Sequence, residues 1–181
     1  MTSARGQSTS HRWLIVVASI CVVLNAGPAA AQGFVTAGVG AAFGGDVPSS
    51  KATYNVAAGA TAAGLLGLEV EFGHTPTFFE AALDSGNVIT VMADVLIGAP
   101  FGPLRPYAVG GLGLIRQRAT ISVGGLFNNI SDNDFGFNVG GGVIVKVAPY
   151  VGLRSEVRHF HVRRTGGFSF NRATVGVVLG R

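Results

Sequence analysis

Leu66-Gly67-Leu68-Glu69-Val70-Glu71-Phe72 alternates apolar residues at even positions with glycine or glutamate at odd ones. A period of two puts Leu66, Leu68, Val70 and Phe72 on one face of a β-strand and Glu69 and Glu71 on the other. The period recurs from Asn87 to Gly98, where Ile89, Val91, Ala93, Val95 and Ile97 oppose Thr90, Met92 and Asp94. From Phe135 to Val147, six phenylalanines and valines face away from Asn138 and Lys146.

Working outward, Val35, Ala37, Val39, Ala41 and Phe43 alternate with Thr36, Gly38 and Gly40, and Tyr54, Val56, Ala58 and Ala60 alternate with Asn55 and Gly59. Near the end, Val151, Leu153, Ser155 and Val157 oppose Arg154, Glu156 and Arg158, then Ala173, Val175, Val177 and Leu179 oppose Arg172 and Thr174. Tyr107 to Arg118 also reads as a strand, with both faces blurred by Gly110, Gly111 and Gly113. The set comes to about eight strands of ~9 to 13 residues, the size of a small transmembrane barrel. Short joins near 63–65, 99–104 and 148–149 alternate with longer polar connections at 44–51, 75–86, 120–133 and 163–167. Short turns at one end and longer loops at the other fit an up-and-down antiparallel barrel. Pro100, Pro103, Pro106 and Pro149 sit at the short joins, where a missing N–H removes no ladder bond.

Composition narrows the class. With 48% hydrophobic and 12% charged residues, the chain is too apolar for disorder. Its 28 glycines and scattered polar residues leave no run of ~20 apolar residues after residue 30, as a spanning helix would need. Residues 1–31 read as a secretory signal: Arg5 and Arg12 without an acid, an apolar run from Trp13 to Leu24, and Ala29-Ala30-Ala31 before Gln32. Its removal would take away Cys21 and Trp13, the only residues of their kinds, leaving residues 32–181 as the barrel domain. That part carries 11 Lys and Arg against 9 Asp and Glu, scattered rather than clustered, so no nucleic-acid partner is expected.

A soluble barrel of lipocalin type satisfies the same alternation with its apolar faces turned inward. The signal segment, the glycine content and the loop asymmetry favour the membrane barrel. In that reading Glu69, Glu71, Asp94, Lys146, Arg154, Glu156, Arg158 and Arg172 form a lumenal charge network. An eight-stranded barrel has an interior just wide enough for side chains. Paired charges there satisfy one another as a plug; the competing reading is a gate or ion path.

The segments Arg105-Pro106-Tyr107-Ala108-Val109-Gly110-Gly111-Leu112-Gly113 and Gly140-Gly141-Gly142-Val143, followed by Val151-Gly152-Leu153-Arg154-Ser155-Glu156-Val157-Arg158, resemble the small outer-membrane β-barrel family of opacity-type and OmpA-like proteins of Gram-negative bacteria. The resemblance spans roughly Gly33 to Arg181. It implies a bacterial outer-membrane location, a periplasmic N-terminus, insertion by the barrel-assembly machinery, and lumenal positions for Glu156 and Arg158 in the penultimate strand. The ending Val178-Leu179-Gly180-Arg181 departs from the aromatic terminus usual in that family.

Other candidates are weaker. His159 and His161 share the apolar face of their strand with Ser155, four residues from His159 or ~13 Å, which is beyond hydrogen-bond reach. Interfacial histidines therefore fit better than a lipid-modifying hydrolase. Tyr107 beside Pro106 reads as a headgroup-level girdle aromatic, with Phe43 and Phe72 toward the other rim. Asp132-Asn133-Asp134 reads as a solvated turn rather than a calcium loop. Leu83, Leu126, Phe78, Phe79 and Phe127 make two loops partly apolar, suited to a contact surface. The expectation is a structural or surface-interaction protein with outer-membrane lipid around it and a possible loop ligand, neither an enzyme nor a cofactor or metal binder. The alternative is a narrow porin-like channel, and a lipid-modifying enzyme ranks last.

Overall fold

The computed structural model describes residues 31–47, 49–76, 85–123, 126–163 and 167–180. They form eight strands and no helix: β1 (Ala31–Phe43), β2 (Lys51–Ala62), β3 (Leu66–Thr75), β4 (Ser85–Gly98), β5 (Leu104–Val123), β6 (Leu126–Ala148), β7 (Val151–Val162) and β8 (Ser169–Gly180). Each strand pairs antiparallel with the next, and β8 returns to β1, so the sheet is closed. Closure removes the unpaired sheet edge that lipid could not hydrogen-bond. Apart from Ala31, which opens β1, the proposed leader lies outside the described residues, as do Phe78, Phe79 and Leu83.

Register fixes the geometry of the cylinder. A row of paired residues runs from Val35 through Ala58, Val70, Ala93, Leu112, Phe137 and His161 to Ser169. Phe43 pairs with Asn171, so the row re-enters the first strand level with Gly45, ten positions above its start. That stagger over eight strands corresponds to a tilt of about 40° and an interior filled by side chains. The β2–β3 turn is equally constrained: Ala63 and Gly64 both have positive φ, 48° and 70°, and Leu65 N–H donates to the Ala62 carbonyl at 2.9 Å. Two successive left-handed residues match the right-handed strand twist in a tight hairpin.

The apolar face points outward. On β3, Leu68 and Val70 are 66% and 55% exposed, whereas Glu69 and Glu71 are 2% and 0%. A lipocalin-type barrel would show the reverse, so these strands have lipid as their outer solvent.

One connection differs from expectation. Residues 120–133, read as a polar loop, are mostly strand: β5 continues to Val123 and β6 begins at Leu126, paired from Leu114↔Phe135 up to Val123↔Leu126. Strands of 20 and 23 residues are about twice what a tilted strand needs to cross a bilayer. Beyond the membrane a hairpin needs no apolar face, so its polar composition mimicked a loop. Asp132-Asn133-Asp134 accordingly lies within β6 rather than in a turn.

Candidate functional site

Inward positions on β3, β4, β7 and β8 bring seven charged side chains together in the lumen, all buried: Glu69, Glu71, Asp94, Glu156, Arg154, Arg158 and Arg172. Strands β3 and β7 each contribute two or more because residues two apart share a face. Arg158 is the hub. Its Nη2 lies 2.7 Å from Glu69 Oε1 and 3.5 Å from Glu71 Oε2, its Nη1 2.5 Å from Asp94 Oδ2, and its Nε 2.5 Å from Glu156 Oε1. Arg154 pairs with Glu69 Oε2 at 2.5 Å and Glu156 Oε2 at 2.6 Å. Arg172 pairs with Glu71 and donates to Thr90 Oγ1 at 3.4 Å.

Neutral groups complete the set. Tyr107 donates its hydroxyl hydrogen to Glu156 Oε2 at 2.7 Å while accepting from Arg154 Nε at 2.7 Å. Asn138 Nδ2 donates to Asp94 Oδ1 at 2.7 Å, and Asn55 Nδ2 to Glu71 Oε2 at 3.0 Å. Every carboxylate therefore meets a guanidinium, which answers the desolvation that burial imposes on a charge. Carboxylates so engaged leave no open ligand set for a cation, and among the described residues no cluster of three metal-ligating side chains occurs.

Two apolar layers sandwich this polar one. Toward the loops lie Val88, Met92, Ile115, Phe160, Val162 and Phe170, with the Phe160 and Phe170 rings stacked at 4.8 Å. Toward the short turns lie Phe34, Leu96, Tyr107, Val109, Ile144 and Val178. Arg172 sits over the Phe160 ring at 4.6 Å and Arg154 over the Tyr107 ring at 5.0 Å, joining the layers by cation–π contact.

Two sequence assignments are corrected here. Lys146 is exposed at the turn-end mouth and stands apart from the network. A register shift between Lys146 and Ala148 breaks the β6–β7 ladder there, while on the β5 side the Lys146 N–H donates to the Pro103 carbonyl at 2.8 Å. Tyr107 is not a girdle aromatic: Pro106 takes the outward position and Tyr107 the inward one, 6% exposed. The signal that could have found it was parity with Val109, obscured by the neighbouring glycines.

Those glycines have a purpose that periodicity did not reveal. A Cβ on Gly111 would stand 1.9 Å from Asp94 Oδ1, one on Gly73 would stand 2.3 Å from Arg172 Nη1, and one on Gly140 would stand 2.9 Å from Arg158 Cγ. Glycine on the inner wall leaves room for the charged side chains of neighbouring strands, and in the case of Gly73 for Arg172 of β8. On the outer wall, His159 Nδ1 lies 2.9 Å from Asn171 Oδ1 and His161 packs against Phe137 at 5.2 Å between ring centroids. Ser155 is exposed between Val143 and Val175, so no nucleophile, base and acid converge there.

A sequence profile of the outer membrane protein β-barrel domain matches residues 15–180. The chain belongs to the outer membrane protein β-barrel domain family. The outer-membrane barrel is accordingly an integral protein of the bacterial outer membrane, its lumen occupied by paired charges. No curated protein matches the chain by sequence. Among solved structures, Neisserial surface protein A is similar at TM-score 0.63 and 19% identity, covering 84% of this chain and 98% of that one. The Yersinia pestis attachment invasion locus protein Ail, in complex with the heparin analogue sucrose octasulfate, gives TM-score 0.62 and 12% identity, with 84% and 100% covered. The N-terminal barrel domain of Pseudomonas aeruginosa OprF gives 0.55 and 17%, with 83% and 97% covered. At these identities the likeness is one of fold.

Proposed function

We propose that this outer-membrane barrel is a non-catalytic envelope protein that acts through its loop-end surface while its lumen stays closed. The observation that carries the reading is the stack of three lumenal layers, apolar, ionic and apolar, with every acid of the middle layer held by an arginine. Opening a solute path would require separating buried ion pairs, each of which leaves an uncompensated charge behind. The hairpin of β5 and β6 extends well past the barrel wall and offers a surface to partners outside the cell. Ail, a neighbour in fold, binds a sulfated sugar analogue in its crystal structure, which makes a surface ligand a reasonable class to test here.

Planar-bilayer conductance of refolded residues 32–181, after folding is verified by heat-dependent gel mobility, tests the closed lumen. A folded and electrically silent barrel is expected, for the wild type and for Glu156→Gln alike. Reproducible conductance steps that change with Glu156→Gln would replace this reading with a gated pore. Lipid A mass spectra should be unchanged on overexpression; a new lipid A species would overturn the non-catalytic reading.

A further inference from the structure

The outer wall is charged at one end only. Among strand residues whose side chains are described, no outward position carries an acid. The outward guanidinium and imidazole groups are His74 on β3, Arg116 on β5, and His159 and His161 on β7, with Arg163 exposed just beyond β7. All lie in the loop-end part of their strands. Described outward positions toward the short turns carry no charge: they are alanine, valine, leucine, isoleucine, serine, glycine or proline, as along Leu153, Ser155 and Val157.

Register brings part of this set together. His161 shares a row with Leu112 and Phe137, and rows climb toward the loop end in passing from β5 to β7. Arg163, two residues beyond His161, therefore stands close to level with Arg116, while His159 lies two residues below His161 and four, or ~13 Å, below Arg163. The Arg163 N–H donates to the Phe135 carbonyl at 3.0 Å, which ties the segment to the wall of β6. His159 is held by Asn171 and His161 by Phe137, so both rings are oriented on the barrel exterior. Beside and below His159 the wall is apolar, with its row partner Val139 and Val157 two residues lower both exposed. A patch of guanidinium and imidazole donors that begins where the apolar band ends lies where phosphates sit at a membrane surface.

We propose that His159, His161 and Arg163 form a binding site for the phosphate-bearing headgroup of an outer-leaflet lipid, with the acyl chains lying on the exposed face of β6 and β7. The site rests on the outer-leaflet placement of the loop end and not on the closed lumen, so a conducting barrel would leave it standing. Guanidinium and imidazole donors suit phosphate oxygens, and among the described strand residues no acid faces outward to repel them.

The test uses refolded residues 32–181 in neutral detergent micelles, titrated with bisphosphorylated lipid A, with its dephosphorylated form, and with phosphatidylglycerol. Bisphosphorylated lipid A is expected to bind and to raise the temperature of the gel-mobility shift. The triple variant His159→Ala, His161→Ala, Arg163→Gln is expected to lose about tenfold in affinity, since it removes the Arg163 charge and two ring donors. Arg163→Gln alone, outside the strand, gives a variant whose folding is not in question and should lose part of that affinity. Ser155→Ala, on the same face but toward the turns, should bind as wild type. Equal binding by the triple variant, or equal binding of dephosphorylated lipid A, would overturn the site. Equal binding of phosphatidylglycerol would overturn the specific site in favour of general attraction to anionic surfaces.

Discussion

Arg158 on β7 and Glu69 on β3 stand four strands apart in either direction around the barrel and meet across the lumen at 2.7 Å. The pair is a strut between opposite walls, formed by residues 89 apart in sequence. Arg154 adds a second strut to the same carboxylate, and Arg172 ties β8 to Glu71 beside it. Buried ion pairs of this kind add little net stability over apolar packing of the same volume, but breaking one is expensive.

Arg158→Ala should therefore destabilise the barrel by about 3–5 kcal/mol, because the excess of lumenal carboxylates becomes larger while their solvent stays excluded. Urea unfolding of the refolded protein in lipid vesicles reads this directly, and a midpoint equal to wild type would show that the strut bears no such load. Adding Glu69→Gln and Asp94→Asn to Arg158→Ala should recover part of the loss.

Tyr107→Phe removes one hydroxyl and keeps the ring. The Glu156 and Arg154 atoms it joined stay buried, so a loss of about 1–3 kcal/mol is expected with the barrel still closed. The same urea titration, compared with Tyr54→Phe on the exposed outer wall, measures it; equal effects at the two positions would rule out the bridging role.

Adjacent glycines should respond oppositely to one methyl group. At Gly111 a Cβ meets Asp94 Oδ1 at 1.9 Å and the Ala93 carbonyl at 2.4 Å, so Gly111→Ala should cost about 1–3 kcal/mol by overpacking. At Gly110 the nearest atom is the Asn138 carbonyl oxygen at 3.7 Å, and Gly110→Ala should fold with wild-type stability. Similar refolding yields and midpoints for both would contradict the inward position of Gly111.

Arginine on the outer wall should be tolerated according to depth. Val157→Arg, in the middle of the apolar band, is expected to cost about 2–4 kcal/mol, and His161→Arg near the loop end about 0–1 kcal/mol. Indifference to both in lipid vesicles would mean that this wall does not face hydrocarbon.

Alternation alone was enough to recover the strand count, the up-and-down order and seven of the eight lumenal faces, because a strand lining a membrane barrel must be apolar on one side along its whole span. It also located Glu69, Glu71, Asp94, Arg154, Glu156, Arg158 and Arg172. It failed at strand ends and where the inner wall is glycine. Lys146 has the inward parity but stands at the mouth beside a register shift, where parity no longer implies burial. Tyr107 was hidden because Gly110, Gly111 and Gly113 remove the contrast between faces, and Gly111 and Gly113 leave room for Asp94 and Met92 of the neighbouring strand β4. Asn138 and Asn55 look like ordinary polar positions until the register shows which carboxylate each one meets.

The ionic layer also bears on assembly. Three of its acids, Glu69, Glu71 and Asp94, come from β3 and β4 and its arginines only from β7 and β8, so those three acids meet no arginine until the last strands are in place; Glu156 alone has arginine partners on its own strand. A partly inserted sheet would carry an excess of guanidiniums over the single Glu156 along one margin and three carboxylates without an arginine along the other, each disfavoured in hydrocarbon. Curling the sheet until β8 meets β1 neutralises both margins together. The charges in the middle of the barrel thus serve as a latch: they penalise every half-built form and are silenced only in the finished cylinder.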